Sequence, residues 1–150
     1  LINDFTCSFD PAIYNVREND YIKSVQIDHI LVAPSGVFLI ETKNWSEKSL
    51  KNLSLRSPVE QIKRASFILF KILAGDFNSS KVRLNKHHWG DRKIPIKNLI
   101  VLINQKPIEE FQYVKIVTLK ELLNYVTYLP PCFSTKETQI IGDYIRKHFD

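Results

Sequence analysis

The stretch Gln26 to Lys43, reading QIDHILVAPSGVFLIETK, constrains this chain more than any other. It is two apolar runs separated by turn residues, and each run carries an acidic residue among β-branched and aromatic neighbours. The runs Val25–Val32 and Val37–Thr42 have the composition of strands, and Ala33, Pro34, Ser35 and Gly36 between them supply the fixed φ and the left-handed position of a tight turn. The pattern predicts a β-hairpin. If Val32 pairs with Val37, the antiparallel register carries Asp28 opposite Glu41 and Gln26 opposite Lys43. Side chains two apart on a strand share a face, so all four are expected on one side, beside Ile30, Val32, Val37 and Leu39. Opposed side chains have Cβ atoms about 4.5–5.5 Å apart, and like charges there are destabilising. A divalent cation between the two carboxylates would offset that repulsion. Loop length is decisive, because a one-residue bulge turns a strand over and dissolves the group.

The donor types point to one chemistry. Asp28 and Glu41 offer the hard oxygens that Mg²⁺ or Mn²⁺ prefers, and the Thr42 backbone carbonyl offers a further one. Lys43, two residues beyond Glu41, can orient a water or take its proton if its own pKa is depressed. Together they suit metal-assisted phosphodiester hydrolysis. Against this stands a plainer reading, in which Asp28 and Glu41 are solvated charges on an exposed hairpin and Lys43 is an ion-pair partner. Two acids in register among apolar neighbours argue for the site. His29 points to the opposite face by alternation and is expected to be a hydrogen-bonded histidine rather than a ligand.

The remaining chain reads as one α/β domain over residues 1–150 with a central mixed sheet. Leu1–Asp10 is an entering strand with Phe5, Cys7 and Phe9 on one face, and a short strand is expected at Tyr14–Val16. Ser57, Pro58 and Glu60 read as N-cap, first and third residues of a helix that runs at helical spacing to Gly75. Asp76–Pro95 is a long polar excursion whose adjacent His87 and His88 have poor spacing for one metal. Asn98–Asn104 is a strand buried on both faces, and Val114–Val117 a shorter one. Thr118 with Glu121, and Ser134 with Glu137, are two further capping boxes, the first opening a helix from Leu119 to about Leu129 that Pro130-Pro131 stops.

The chain carries 21 basic against 16 acidic residues, a net charge of +5, compatible with a polyanionic partner. Lys63, Arg64 and Lys71, and the cluster Lys81, Arg83, Lys86, Arg92 and Lys93, are solvated faces that could contact phosphates. Cys7 and Cys132 form neither a disulfide framework nor a Cys-x-x-Cys pair, which favours a reducing, cytoplasmic compartment. No apolar run approaches the ~20 residues of a membrane span. There is no methionine, so the chain is expected to be a piece of a longer product.

These residues resemble a known family. The run QIDHILVAPSGVFLIETKNWS, followed by SPVEQIKRA, is similar to the nuclease-related (NERD) domain, a branch of the PD-(D/E)XK nuclease superfamily. The resemblance covers about Leu1 to Leu73 and rests on Asp28, a thirteen-residue step to Glu41, then Lys43 and the capped helix with Gln61. It implies a restriction-endonuclease-like core, a central mixed sheet flanked by helices. It implies metal ligands at Asp28 and Glu41, a catalytic lysine at Lys43 and a helix glutamine, Gln61, reaching toward the site. Lys63 and Arg64 beside it are candidates for nucleic-acid contact. The implied activity is Mg²⁺- or Mn²⁺-dependent cleavage of DNA or RNA; the alternative is a non-catalytic nucleic-acid-binding or interaction module on the same fold. The family usually begins with a helix carrying a Gly-Glu pair, which this chain lacks, so its first helix is expected to be missing here. NERD domains are often fused to helicase, kinase or membrane segments, and fused domains or a homo-oligomer are among the implied partners.

Overall fold

The hairpin forms around the expected pairing. The computed structural model describes residues 1–8, 15–17, 20–21, 24–44, 56–74, 94–103 and 110–147. The chain opens with strand β1 (Ile2–Ser8) and a small ribbon of β2 (Asn15–Arg17) and β3 (Asp20–Tyr21). The hairpin strands are β4 (Ser24–Ala33) and β5 (Gly36–Lys43). They are followed by helix α1 (Arg56–Ala74), β6 (Ile96–Leu102), β7 (Val114–Thr118), α2 (Leu119–Tyr128) and α3 (Thr135–Arg146). Strands β1, β4, β5, β6 and β7 lie side by side in that order, antiparallel from β1 to β5 and parallel from β5 to β7. Parallel neighbours cannot be joined by a tight turn, and α1 lies in the crossover from β5 to β6. This is the α/β, restriction-endonuclease-like arrangement expected.

The sheet is covered on both faces, which is why β6 reads as an almost continuous apolar run. On one face Ile30, Val37, Leu39, Ile100 and Leu102 pack against Val59, Ile62, Ala65, Leu69 and Ile72 of α1 and against Ile141 and Ile145 of α3. On the other, Phe38, Ile40, Leu99, Val101 and Val117 meet Val126 of α2. The Tyr144 hydroxyl donates to the Ile72 carbonyl at 2.9 Å and joins the two helices of the first layer.

Two of the three expected helix starts stand. The Thr118 N–H and hydroxyl both donate to the Glu121 carboxylate, at 3.2 and 2.9 Å. Ser134 and Glu137 exchange reciprocal bonds of 3.0 and 3.1 Å. The first helix is different: it begins at Arg56, so Ser57 lies inside it rather than ahead of it. Pro58 then falls within the first turn, where its missing N–H is harmless because the first four N–H groups of a helix have no intrahelical acceptor. The faces expected for Phe5, Cys7 and Phe9, and the excursion with His87 and His88, lie outside the described residues or side chains.

The hairpin turn is tighter than the four residues expected. Ala33 still pairs with Gly36, leaving Pro34 and Ser35 as the loop. This tip is held by the junction between α2 and α3. The Pro34 carbonyl accepts from the Cys132 and Phe133 N–H groups, at 2.7 and 2.9 Å. The buried Ser35 hydroxyl donates to the Val126 carbonyl at 3.1 Å. Gly36 has φ +143°, and a Cβ there would sit 3.3 Å from the Pro95 carbonyl oxygen, the acceptor of the Val37 N–H at 3.0 Å. Gly36→Ala therefore meets both an unfavourable φ and a backbone atom that is already engaged. It should cost about 1–3 kcal/mol, read as a lower denaturant midpoint at unchanged slope; an unchanged midpoint would show that the turn relaxes freely.

Candidate active site

Strand β5 delivers the site by simple alternation. Val37 and Leu39 enter the core beneath α1, and Glu41 follows them onto the same face, only 7% exposed. Two residues on, the Lys43 ammonium lies 3.1 Å from Glu41 Oε1, its side chain 28% exposed. Burial pushes the Glu41 carboxyl above its ordinary range, against the Lys43 hydrogen bond, which lowers it; the negative charge of Asp28 raises it further, and the charges of Lys43 and His29 oppose. The net shift is upward, so the lysine only partly compensates for desolvation and a neighbouring acid.

Asp28 arrives differently from expectation. The β4–β5 ladder runs from Ala33↔Gly36 to His29↔Ile40 and goes no further. In β5 the backbone groups of odd-numbered residues face β6, as the Val37 N–H and the Lys43 carbonyl bonded to Pro95 and Ile103 indicate. Those of Thr42 face β4, where no strand partner remains. Asp28 Oδ2 takes that place, accepting from the Thr42 N–H at 3.0 Å and the Thr42 hydroxyl at 3.2 Å. A side-chain carboxylate has replaced a backbone acceptor at the end of the ladder.

The expected single face carrying Gln26, Asp28, Glu41 and Lys43 is thereby corrected. Val25, Ile27 and Ile30 all enter the same core, which strict alternation forbids, so the strand turns over at Asp28. Gln26 is exposed and pairs with Thr6 of β1 instead of Lys43. The face flip removes Gln26 from the group, while Asp28 stays close enough for its charge to act on Glu41. His29 is hydrogen-bonded, as expected: Nδ1 lies 2.8 Å from Asn3 Oδ1.

The structure joins Asp28 to Thr42 and Glu41 to Lys43. Gln61 is exposed on α1, one residue before the inward-facing Ile62, and makes no hydrogen bond to these four. Lys63 and Arg64 are half-buried on the same helix. Among the described residues no group of three His, Cys, Asp or Glu side chains is placed to hold a metal. Two carboxylates and the Thr42 carbonyl are nevertheless all hard oxygens, a donor set that fits Mg²⁺ or Mn²⁺ with several positions left to water. Glu18 lies outside the described residues. Reading the sequence alone missed the Thr42 N–H and hydroxyl as partners of Asp28, because alternation places Thr42 on the far face.

Three comparisons bear on this geometry. The profile of the nuclease-related domain family (NERD) matches residues 7–103, about two thirds of the chain. A 50-residue stretch is 40% identical to an uncharacterized protein of Bacillus anthracis, covering 30% of this chain and 24% of that protein. The chain thus matches about a quarter of that relative's length. No solved structure matches it.

The Glu41 shift sets a pH dependence. A carboxyl whose pKa is raised on folding binds its proton more tightly in the folded state, so its contribution to stability is full below the unfolded pKa and is lost as pH rises through the folded one. Glu41→Gln removes this loss. Metal-free, the variant should gain stability relative to the wild type between acid and neutral pH, and a difference constant across that range would show that Glu41 does not titrate in this manner.

Proposed function

The chain belongs to the nuclease-related domain family, within the PD-(D/E)XK superfamily, and from that premise we propose that it is a metal-dependent nuclease domain hydrolysing phosphodiester bonds of DNA or RNA. The observation that carries the reading is Glu41: a buried carboxylate, raised in pKa, with Asp28 adding like charge. Such a group is costly to bury, and the Lys43 ammonium beside it offsets only part of that cost. It is sensible in a protein that binds Mg²⁺ or Mn²⁺ there.

In this reading Asp28, Glu41 and the Thr42 carbonyl hold the cation. The Thr42 carbonyl points, like its N–H, to the side where the β4–β5 pairing has ended. A cation bound there supplies Lewis acidity toward the phosphoryl group and a lowered pKa for water. Lys43 has one ammonium N–H directed at Glu41 and two left over. Those donors orient the attacking water or neutralise charge building on the phosphate. Lys63 and Arg64 on α1 are the proposed phosphate contacts, and Gln61 would reach the site only after its side chain turns from solvent. The net charge of +5 favours a polyanionic substrate. A cytoplasmic setting and fusion to other domains or self-association complete the proposal; among the described residues no helix is long and apolar enough to cross a membrane.

The test is plasmid and RNA cleavage with Mg²⁺ or Mn²⁺ on the full-length protein, beside calorimetric Mn²⁺ titration. Lys43→Ala should lose on the order of 10²–10⁴-fold in rate while keeping its Mn²⁺ affinity. Glu41→Ala should lose both. Nucleic acid bound without any cleavage would instead favour the non-catalytic module on the same fold.

A further inference from the structure

Strand β1 carries a defect that matches the one in β4. Its pairing with β4 keeps a single register from Ile2↔Ile30 and Asn3↔His29 to Phe5↔Ile27 and Ser8↔Ser24, yet the position where Asp4 would meet Asp28 is skipped. Asp4 has φ +52°, in the left-handed region. The skip falls where β4 turns over, since Ile27 and Ile30 enter one core on either side of Asp28. It is also where a regular ladder would set two carboxylates face to face, which is destabilising. Aspartate is among the few residues other than glycine that tolerate this backbone.

From this we infer that Asp4 is a positioning residue: its left-handed backbone breaks the ladder opposite Asp28 and turns that carboxylate toward β5, where Thr42 holds it. The Thr42 N–H and hydroxyl both engage Oδ2. Among the described residues Oδ1 receives no hydrogen bond, so one oxygen is fixed and the other is presented. The device works through the backbone of Asp4, whose side chain is exposed, and its consequence for cation binding rests on the function proposed above. A regular β1 would leave Asp28 on a sheet face, away from the backbone N–H of Thr42.

Two readouts separate this inference from that function. In metal-free full-length protein, amide exchange at Thr42 reports its bond to Asp28; Mn²⁺ titration reports the presented oxygen. Asp4→Gly keeps the left-handed backbone without the carboxylate and should leave both unchanged. Asp4→Val disfavours that backbone and should speed Thr42 exchange and weaken Mn²⁺ by about 10-fold or more. Ile2→Ala loosens the same strand without touching the defect, and should change neither readout when measured well below its melting temperature. Wild-type behaviour of Asp4→Val overturns the inference. So does Asp4→Gly failing as badly as Asp4→Val, which would place the effect in the carboxylate, or Ile2→Ala doing so, which would place it in strand integrity. A wild type that binds no Mn²⁺ defeats the proposed function, and Thr42 exchange still decides the role of Asp4.

Discussion

Everything at the candidate site follows from where the β4–β5 ladder stops. A buried backbone N–H must find an acceptor, and at Thr42 the neighbouring strand no longer offers one. Asp28 supplies it from a side chain. That substitution brings a carboxylate to the edge of an apolar layer, next to Glu41, which the alternation of β5 has already carried inside. The lysine at the strand end then has a partner at 3.1 Å. Had the ladder continued two pairs further, Thr42 would be bonded to β4 and its carbonyl closed off.

The mixed topology makes this end possible. Strand β5 is the member paired antiparallel on one side and parallel on the other, so its two backbone edges answer to different neighbours. The β6 edge stays paired through Lys43, while the β4 edge opens after Ile40. The site sits where one side of a central strand is locked and the other is released. Helix α1 covers the apolar part of the same face, leaving the polar end beyond it.

Much of this was legible from the residues. The hairpin register, the two capping boxes at Thr118 and Ser134, and the twice-buried β6 follow from local patterns that tertiary context did not override. The start of α1 was misplaced by two residues because a Ser-Pro pair reads equally well as a cap or as a tolerated first turn. The larger miss was Asp28. Alternation is a rule for unbroken strands, and the break depends on Asp4, more than twenty residues earlier in the chain. Nothing in the sequence says that these two acids share a register position, and only the assembled β1–β4 pair brings the conflict into being. The E-x-K segment drew the eye to residues that the structure does bring near one another, while the face argument placed one of them wrongly.

The clamp on the hairpin tip has a consequence for the order in which the protein matures. Pro34 and Cys132 are 98 positions apart, and the Pro34 carbonyl takes its two N–H partners from the segment between α2 and α3. On the ribosome the hairpin, a local element, can close while most of the chain is still unmade. Its tip cannot be secured until Phe133 has emerged. The strand that bears Glu41 and Lys43 is therefore completed early and anchored late, so a nascent chain halted before α2 and α3 would carry the site residues on a hairpin held only by its own ladder and its first neighbours.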